Sequence, residues 1–265
     1  MGVSTLNIIK IGGNVIDNEQ DLNDFLEKFS ALSGKKILVH GGGKIATRLA
    51  ADLGIEANLI DGRRVTDAEM LKIVTMVYAG LTNKSIVSKL QNLNCDALGL
   101  SGADGDTIRT MKRPVKDIDY GFVGDIMHDS INTASIKKVL EAGFVPVFSA
   151  ITHNGIGQLL NTNADTIASA LAVALADLYE TSLIYCFEKN GVLRDVTDEN
   201  SVFERINAKD FEQLKKEGVI HTGMIPKLQN AFDAIRKGVK HVYVGNANNL
   251  HLFQQSHFGT CLVAK

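Results

Sequence analysis

Two short β-branched runs each end in glycines that lead at once into a helical periodicity, and this limits the fold more than any other feature of the chain. Residues 6–11 run into Gly12-Gly13, and residues 37–40 run into Gly41-Gly42-Gly43. After the first, Leu22, Phe25, Leu26 and Phe29 recur at helical spacing, with Asp17 expected as the cap and Gly34 as the stop. After the second, residues 44–53 read as a helix closed by Gly54. Repeated strand, glycine exit and helix build a largely parallel sheet covered by helices on both faces.

The alternation continues along the chain. Thr66-Asp67-Ala68-Glu69 matches a capping box and opens an expected long helix toward Leu93. Residues 97–100 and 144–150 read as strands flanking a helix over 131–142, and 108–127, with its Gly, Pro and alternating apolar residues, reads as projecting hairpins. Helices follow over 164–178, 209–217 and 225–237, with strands at 183–187, 241–244 and 261–263. The expected class is α/β, a three-layer αβα sandwich with a mainly parallel central sheet. No Pro- or Ser-rich linker interrupts the chain, so the expected division is into lobes, 1–165 and 166–265, sharing one continuous sheet.

Composition removes several functions. A net charge of -2 in 265 residues argues against nucleic-acid binding through a broad basic face. Cys95, Cys186 and Cys261 are odd in number and far apart, which favours buried thiols in a reducing cytoplasm over a disulfide framework or zinc site. No apolar stretch is long enough for a membrane span, and the N-terminus lacks the features of a secretion signal, so a cytoplasmic protein is expected. No H-E-x-x-H or G-x-S-x-G occurs to suggest a metal or serine hydrolase.

The remaining motifs suit an anionic ligand. In parallel sheets, ligands gather at the carboxyl ends of strands, where helix N-termini point. Lys10-Ile11-Gly12-Gly13 places a cation beside glycines whose backbone N–H groups can approach a phosphate closely. His40-Gly41-Gly42-Gly43-Lys44 repeats the design; Gly41, Gly43 and Ala46 also fit G-x-G-x-x-A, which leaves a dinucleotide reading open on this loop alone. Arg64 offers a planar fork for a carboxylate, although arginines are common on surfaces. Asn161-Thr162-Asn163-Ala164-Asp165 gathers amides and a carboxylate at a helix start, where plain capping is an equal explanation. Gly223-Met224-Ile225-Pro226-Lys227 puts a lysine in a first helical turn, a position that favours an anionic partner.

In this order, these five motifs strongly resemble those of the amino-acid kinase family, and the resemblance covers essentially the whole chain. The lysine-glycine and three-glycine loops are shared widely in that family, while Arg64-Val65-Thr66 with Asn161-x-Asn163-Ala164-Asp165 points to its N-acylglutamate branch. The resemblance implies transfer of the γ-phosphoryl group of ATP to a side-chain carboxylate. It implies Lys10 and Lys227 as stabilisers of the transferring group, with Asp165 holding both lysines. Gly42 and Gly43 would bind substrate or γ-phosphate through backbone N–H groups, Arg64 would grip a substrate carboxylate, and Asn161 would contact the acylated end. Gly12, Gly13, Gly191 and Gly223 would line the nucleotide, with Mg2+ held mainly by its phosphates and no protein metal ligand. Carbamate or free glutamate kinase activity, or a non-catalytic sensor, are the alternatives.

Two departures from the family pattern stand out. At 185–191 the chain reads Tyr-Cys-Phe-Glu-Lys-Asn-Gly, where family members commonly carry Ser/Thr-Asp-Val-x-Gly beside the nucleotide. Arginine-inhibited members carry an extra N-terminal helix that joins dimers into hexamers, whereas the first strand here begins near Leu6. A homodimer without arginine inhibition is therefore expected.

Overall fold

The computed structural model describes residues 4–60, 63–220, 224–255 and 257–264. Its principal strands in chain order are β1 (Thr5–Ile11), β2 (Lys35–His40), β3 (Ala97–Leu100), β4 (Val145–Ser149), β5 (Glu180–Phe187), β6 (Arg205–Asn207), β7 (His241–Asn246) and β8 (Thr260–Val263). The helices used below are α1 (Gly13–Asp17), α2 (Glu19–Ala31), α3 (Gly43–Asp52), α4 (Ala68–Val74), α5 (Asn83–Asn92), α6 (Thr133–Glu141), α7 (Ala164–Ala174), α8 (Ala208–Lys216) and α9 (Ile225–Arg236). The chain forms two compact units: everything up to Lys36 together with Ala168–Lys265, and Ile37–Ile167. β1 sets this grouping, because it pairs in parallel with β5, Lys10 opposite Tyr185 and Ile11 opposite Cys186.

In the first unit, β5 pairs with β1 and with β7 in parallel, β7 with β8 antiparallel, and β8 with β6 in parallel. Leu6, Ile8, Ile9, Leu183, Ile184 and Val242 are wholly buried, which is why these strands read as continuous apolar runs. The short β6 carries too few residues for a strand pattern to emerge from sequence. Helix α2 is capped by Asn18, whose Oδ1 accepts from the backbone N–H groups of Gln20 and Asp21 at 3.0 and 3.1 Å. The expected cap, Asp17, instead ends the short α1, because the chain turns helical at Gly13 directly after β1. The other end of α2 is closed by buried Lys36, whose Nζ donates to the carbonyls of Phe29, Ser30 and Leu32 at 2.8, 2.7 and 2.6 Å. A cation there complements both the orphan carbonyls and the helix dipole.

In the second unit, β4 pairs in parallel with β2 on one side and β3 on the other. The hairpin expected within 108–127 pairs Met111–Lys112 with Gly124–Asp125; two more, Leu59–Ile60 with Arg63–Arg64 and Ile151–His153 with Leu159–Asn161, are not among the expected elements, although Asp61-Gly62 and Asn154-Gly155 in the sequences between them are hairpin dipeptides. A buried hydroxyl chain, Thr110 to Thr152 at 2.7 Å and Thr152 to Thr162 at 2.8 Å, joins two of these hairpins. A Cβ at Gly124 would lie 2.5 Å from both Thr110 Oγ1 and Thr162 Oγ1, so only glycine fits beside that chain.

The long helix expected from Thr66 to Leu93 is divided. A π-helical segment, Thr75–Thr82, lies between α4 and α5. The cap is Asp67, which accepts from Met70 N–H at 2.7 Å, not Thr66, whose hydroxyl is used elsewhere. In both units the principal strands pair mainly in parallel and are flanked by helices, the class the sequence pattern predicts.

Candidate active site

In the first unit, the exit of β1 lies against that of β5. Gly12 N–H donates to Cys186 O at 2.8 Å, and a Cβ on Gly12 would meet Cys186 O at 3.2 Å and Phe187 Cβ at 3.4 Å. A side chain on Gly12 would crowd this close approach by a few tenths of an ångström, whereas Gly13 has open space around it. Lys10 sits half-buried near the carboxyl end of β1. Burial raises the Cys186 thiol, which stays protonated and makes no charged partner for the loop. From α9, the exposed Lys227 places its ammonium 5.5 Å from the centre of the Phe187 ring, within cation–π range.

Beyond Phe187 opens a mostly apolar pocket of about 270 Å³ lined by Phe187, Lys189, Gly191, Val192, Leu193, Val196, Ile220 and Met224. Gly191 admits no side chain, since its Cβ would lie 2.7 Å from both Thr260 Oγ1 and Val202 Cγ1. The segment that departs from the family pattern is tethered by other means. Asn246 Nδ2 donates to Glu188 O at 2.8 Å, and Lys189 pairs with Glu199 at 2.7 Å. Lys10 and Lys227 are cations of the same unit as this apolar pocket. Gly223 lies outside the described residues, as do Asp61 and Gly62 before Arg64.

In the second unit, the three-glycine loop joins β2 to α3. Gly42 is the N-cap of α3, with φ +154° and ψ 26°. Its missing Cβ would stand 2.9 Å from Tyr78 Cδ1 and 3.2 Å from Thr82 Oγ1, both on the π-helical segment. The wide turn of that segment thus brings two side chains, four residues apart, against one glycine. Arg64 is buried; its NH2 donates to Gly43 O at 2.9 Å and to Thr47 Oγ1 at 2.7 Å, while NH1 faces Met70 Sδ at 3.7 Å. Burial raises the Tyr78 hydroxyl, and Arg64 beside it opposes that shift. Part of the guanidinium thus braces the glycine loop.

Thr66 ties the remaining pieces together. Its wholly buried hydroxyl donates to Arg64 O at 3.1 Å and accepts from Asn161 Nδ2 at 3.0 Å. Thr66 O accepts from Phe122 N–H at 2.7 Å and Asn161 N–H donates to Phe122 O at 2.9 Å, so Asn161 is located by backbone as well as side chain. Gly42, Gly43, Arg64 and Asn161 therefore belong to one connected cluster. Asp165 lies half-buried in the first turn of α7, where Asn163 supplies the cap by accepting from Thr166 N–H at 3.0 Å. Sequence reasoning missed Thr47, Tyr78, Asn83 and the bonding role of Thr66; only Thr66 stood in a motif already singled out. Among the described residues, no three His, Cys, Asp or Glu side chains are grouped to hold a metal ion.

The amino acid kinase family profile matches residues 5–246. The chain belongs to the amino acid kinase family. A relative from Cytophaga hutchinsonii named acetylglutamate kinase is 53% identical over 262 residues, covering 98% of both chains. One of the same name from Phocaeicola vulgatus is 52% identical over 246 residues, covering 93% of this chain and 95% of its own. Among solved structures, smu.665 from Streptococcus mutans superposes with a TM-score of 0.78 at 28% identity, covering 98% of this chain and 99% of its own. Carbamate kinase from Giardia lamblia bound to AMP-PNP superposes with a TM-score of 0.73 at 12% identity over 99% of each chain, a likeness of fold alone.

Proposed function

We propose that this chain phosphorylates the side-chain carboxylate of N-acetyl-L-glutamate, or a related N-acylglutamate, with ATP, as the second step of arginine biosynthesis. The observation that carries this is full-length similarity, at half identity, to relatives named acetylglutamate kinase. The cluster of Arg64, Thr66 and Asn161 beside Gly42 and Gly43 supports it, offering a guanidinium, an amide and a glycine-lined helix start.

In the proposed step a carboxylate oxygen attacks the γ-phosphorus, the bond from that phosphorus to the β–γ bridging oxygen breaks, and ADP leaves with the bond's electrons. The carboxylate is ionised at neutral pH and is its own nucleophile, so no general base is required. What the protein supplies is alignment and charge neutralisation. Lys10 and Lys227 are assigned to the transferring phosphoryl group, Asp165 to orienting them, and Gly42 and Gly43 to donating N–H groups. Arg64 is assigned to a substrate carboxylate through donors it does not give to Gly43 and Thr47, and Asn161 to the acylated end. Gly12, Gly13 and Gly191 form the nucleotide side with the apolar pocket, and Gly223 is assigned there from the family pattern. Magnesium enters with the phosphates, as suits an ion that keeps most of its waters.

A coupled assay of ADP release tests the proposal. Turnover should require the acylated substrate and collapse in Lys10→Ala and Lys227→Ala; full activity in both variants overturns the mechanism. The ratio of kcat/KM for acetyl- and succinyl-glutamate assigns the acyl group. The same reading carries a cytoplasmic homodimer, which light scattering checks for mass.

A further inference from the structure

His40, the last residue of β2, is wholly buried between the three-glycine loop and α5. Its Nδ1 lies 2.8 Å from Gly41 O and its Nε2 lies 3.0 Å from Asn83 Nδ2. The same Asn83 nitrogen lies 2.9 Å from Val147 O on β4. A carbonyl accepts only, so the Asn83 group facing Val147 must be the amide nitrogen, and the orientation of this amide is dictated by chemistry. That nitrogen carries two hydrogens, one for Val147 O and one for the imidazole. Nε2 is therefore an acceptor without a proton, and the ring proton sits on Nδ1, donated to Gly41 O. Every bond in the chain from Val147 to Gly41 thus has a determined direction.

The Gly41 carbonyl and the Gly42 N–H belong to one planar trans peptide and point in opposite directions. Drawing Gly41 O toward the buried imidazole turns Gly42 N–H away from it. On the function proposed above, Gly42 N–H is one of the donors to the substrate or its phosphoryl group.

We propose that His40 is a positioning residue for phosphoryl transfer: Asn83 selects the Nδ1–H tautomer of His40, which locks the Gly41–Gly42 peptide with its N–H presented to the anion. Local packing supports the assignment. Asn83 Oδ1 is buried without a partner among the described residues, and a Cβ at Gly99 would lie 2.0 Å from it, so glycine there makes room for the amide. Burial lowers the His40 pKa to about 4, which keeps Nε2 bare at neutral pH, with the Gly41 bond opposing the shift. Titratable or charged groups on the elements packed here include Tyr78, packed on Gly42 and held protonated by burial, Arg64, which donates to Gly43 O at 2.9 Å, and Lys84, whose Nζ donates to Gly99 O at 3.2 Å. None of them is a cause of the His40 shift.

Two measurements test this. In histidine-labelled protein, with His40→Gln used to assign the signal, long-range proton–nitrogen NMR should find His40 as the Nδ1–H tautomer at pH 7.5; an Nε2–H ring overturns the proposal. In Asn83→Asp the carboxylate can only accept, so a neutral ring must move its proton to Nε2 and release Gly41 O, whereas a protonated ring can serve both partners. The variant's kcat/KM should fall by about 10- to 100-fold at pH 8, a loss below that of deleting an anion-site donor outright. It should then recover toward wild type as pH drops to 6. A variant-to-wild-type ratio that does not change with pH overturns the proposal even if the variant is stable, and the tautomer measurement decides if it does not fold. A wild-type protein that turns over no acylglutamate refutes the function reading instead, a result separable from either outcome on His40.

Discussion

Gly42→Ala offers a direct check on whether the three-glycine loop is built as described. Its backbone, at φ +154° and ψ 26°, lies in territory that side chains rarely occupy, and holding alanine there costs about 1–3 kcal/mol. The added methyl would also stand 2.9 and 3.3 Å from Tyr78 Cδ1 and Cε1 and 3.2 Å from Thr82 Oγ1. Tyr78 and Thr82 are themselves buried and cannot swing into solvent, so overpacking adds about 1–3 kcal/mol more. Gly41, its neighbour, is the internal control: a Cβ there meets no atom within 4 Å and its φ is not positive. Gly41→Ala should leave stability unchanged or raise it by about 0.4–1 kcal/mol through lost freedom in the unfolded chain. Urea titration with a shared m-value should therefore place the Gly42→Ala midpoint below both wild type and Gly41→Ala, by an amount equivalent to about 2–6 kcal/mol. Equal midpoints for the two variants would refute the loop geometry and with it the packing of the π-helical segment on Gly42.

Three further outcomes follow from the same contacts. Lys36→Met should destabilise the protein by about 2–3 kcal/mol in urea titration, because the carbonyls at the end of α2 lose a charged donor inside a site closed to water, while Lys36→Arg should recover part of that loss. His40 is held neutral in the folded chain, its pKa lowered to about 4, so the unfolded chain binds the extra proton first as pH falls. Stability from this group is intact above about pH 6.5 and is lost toward pH 4, amounting to about 2 kcal/mol between pH 7 and pH 5, and His40→Gln should lack that slope. Thr66→Val keeps the shape of the buried side chain but removes the hydroxyl between Arg64 and Asn161; KM for the acylglutamate should rise about tenfold, a loss near 1.4 kcal/mol, with kcat less affected.

What could be read from sequence depended on how far away each residue's partner lies. Strand exits at Gly12 and Gly42, the stop at Gly54, and the first turns of α3 and α9 are determined by neighbours within a few positions, and they appear where the pattern put them, whereas α2 ends at an extended Leu32, two residues before the expected stop at Gly34. Asn18 displaced Asp17 as a cap because a five-residue helix intervened, still a local matter. The joining of β1 to β5 was not legible, because Lys10 and Tyr185 share no local signal; that choice belongs to tertiary packing. The same applies to the cradle. Thr66 fits a capping box in sequence, yet Asn161, 95 positions on, claims its hydroxyl and leaves the cap to Asp67. Asn83 had no motif at all, and its role exists only because α5 runs past His40 and β4. The departure from the family pattern at Phe187 to Asn190 fits this view. There the backbone path is held by Asn246 and Thr260, contributed by β7 and β8. Residues in the exit of β5 can therefore change while the path survives, provided Gly191 still admits Thr260 and Gly12 still admits Cys186.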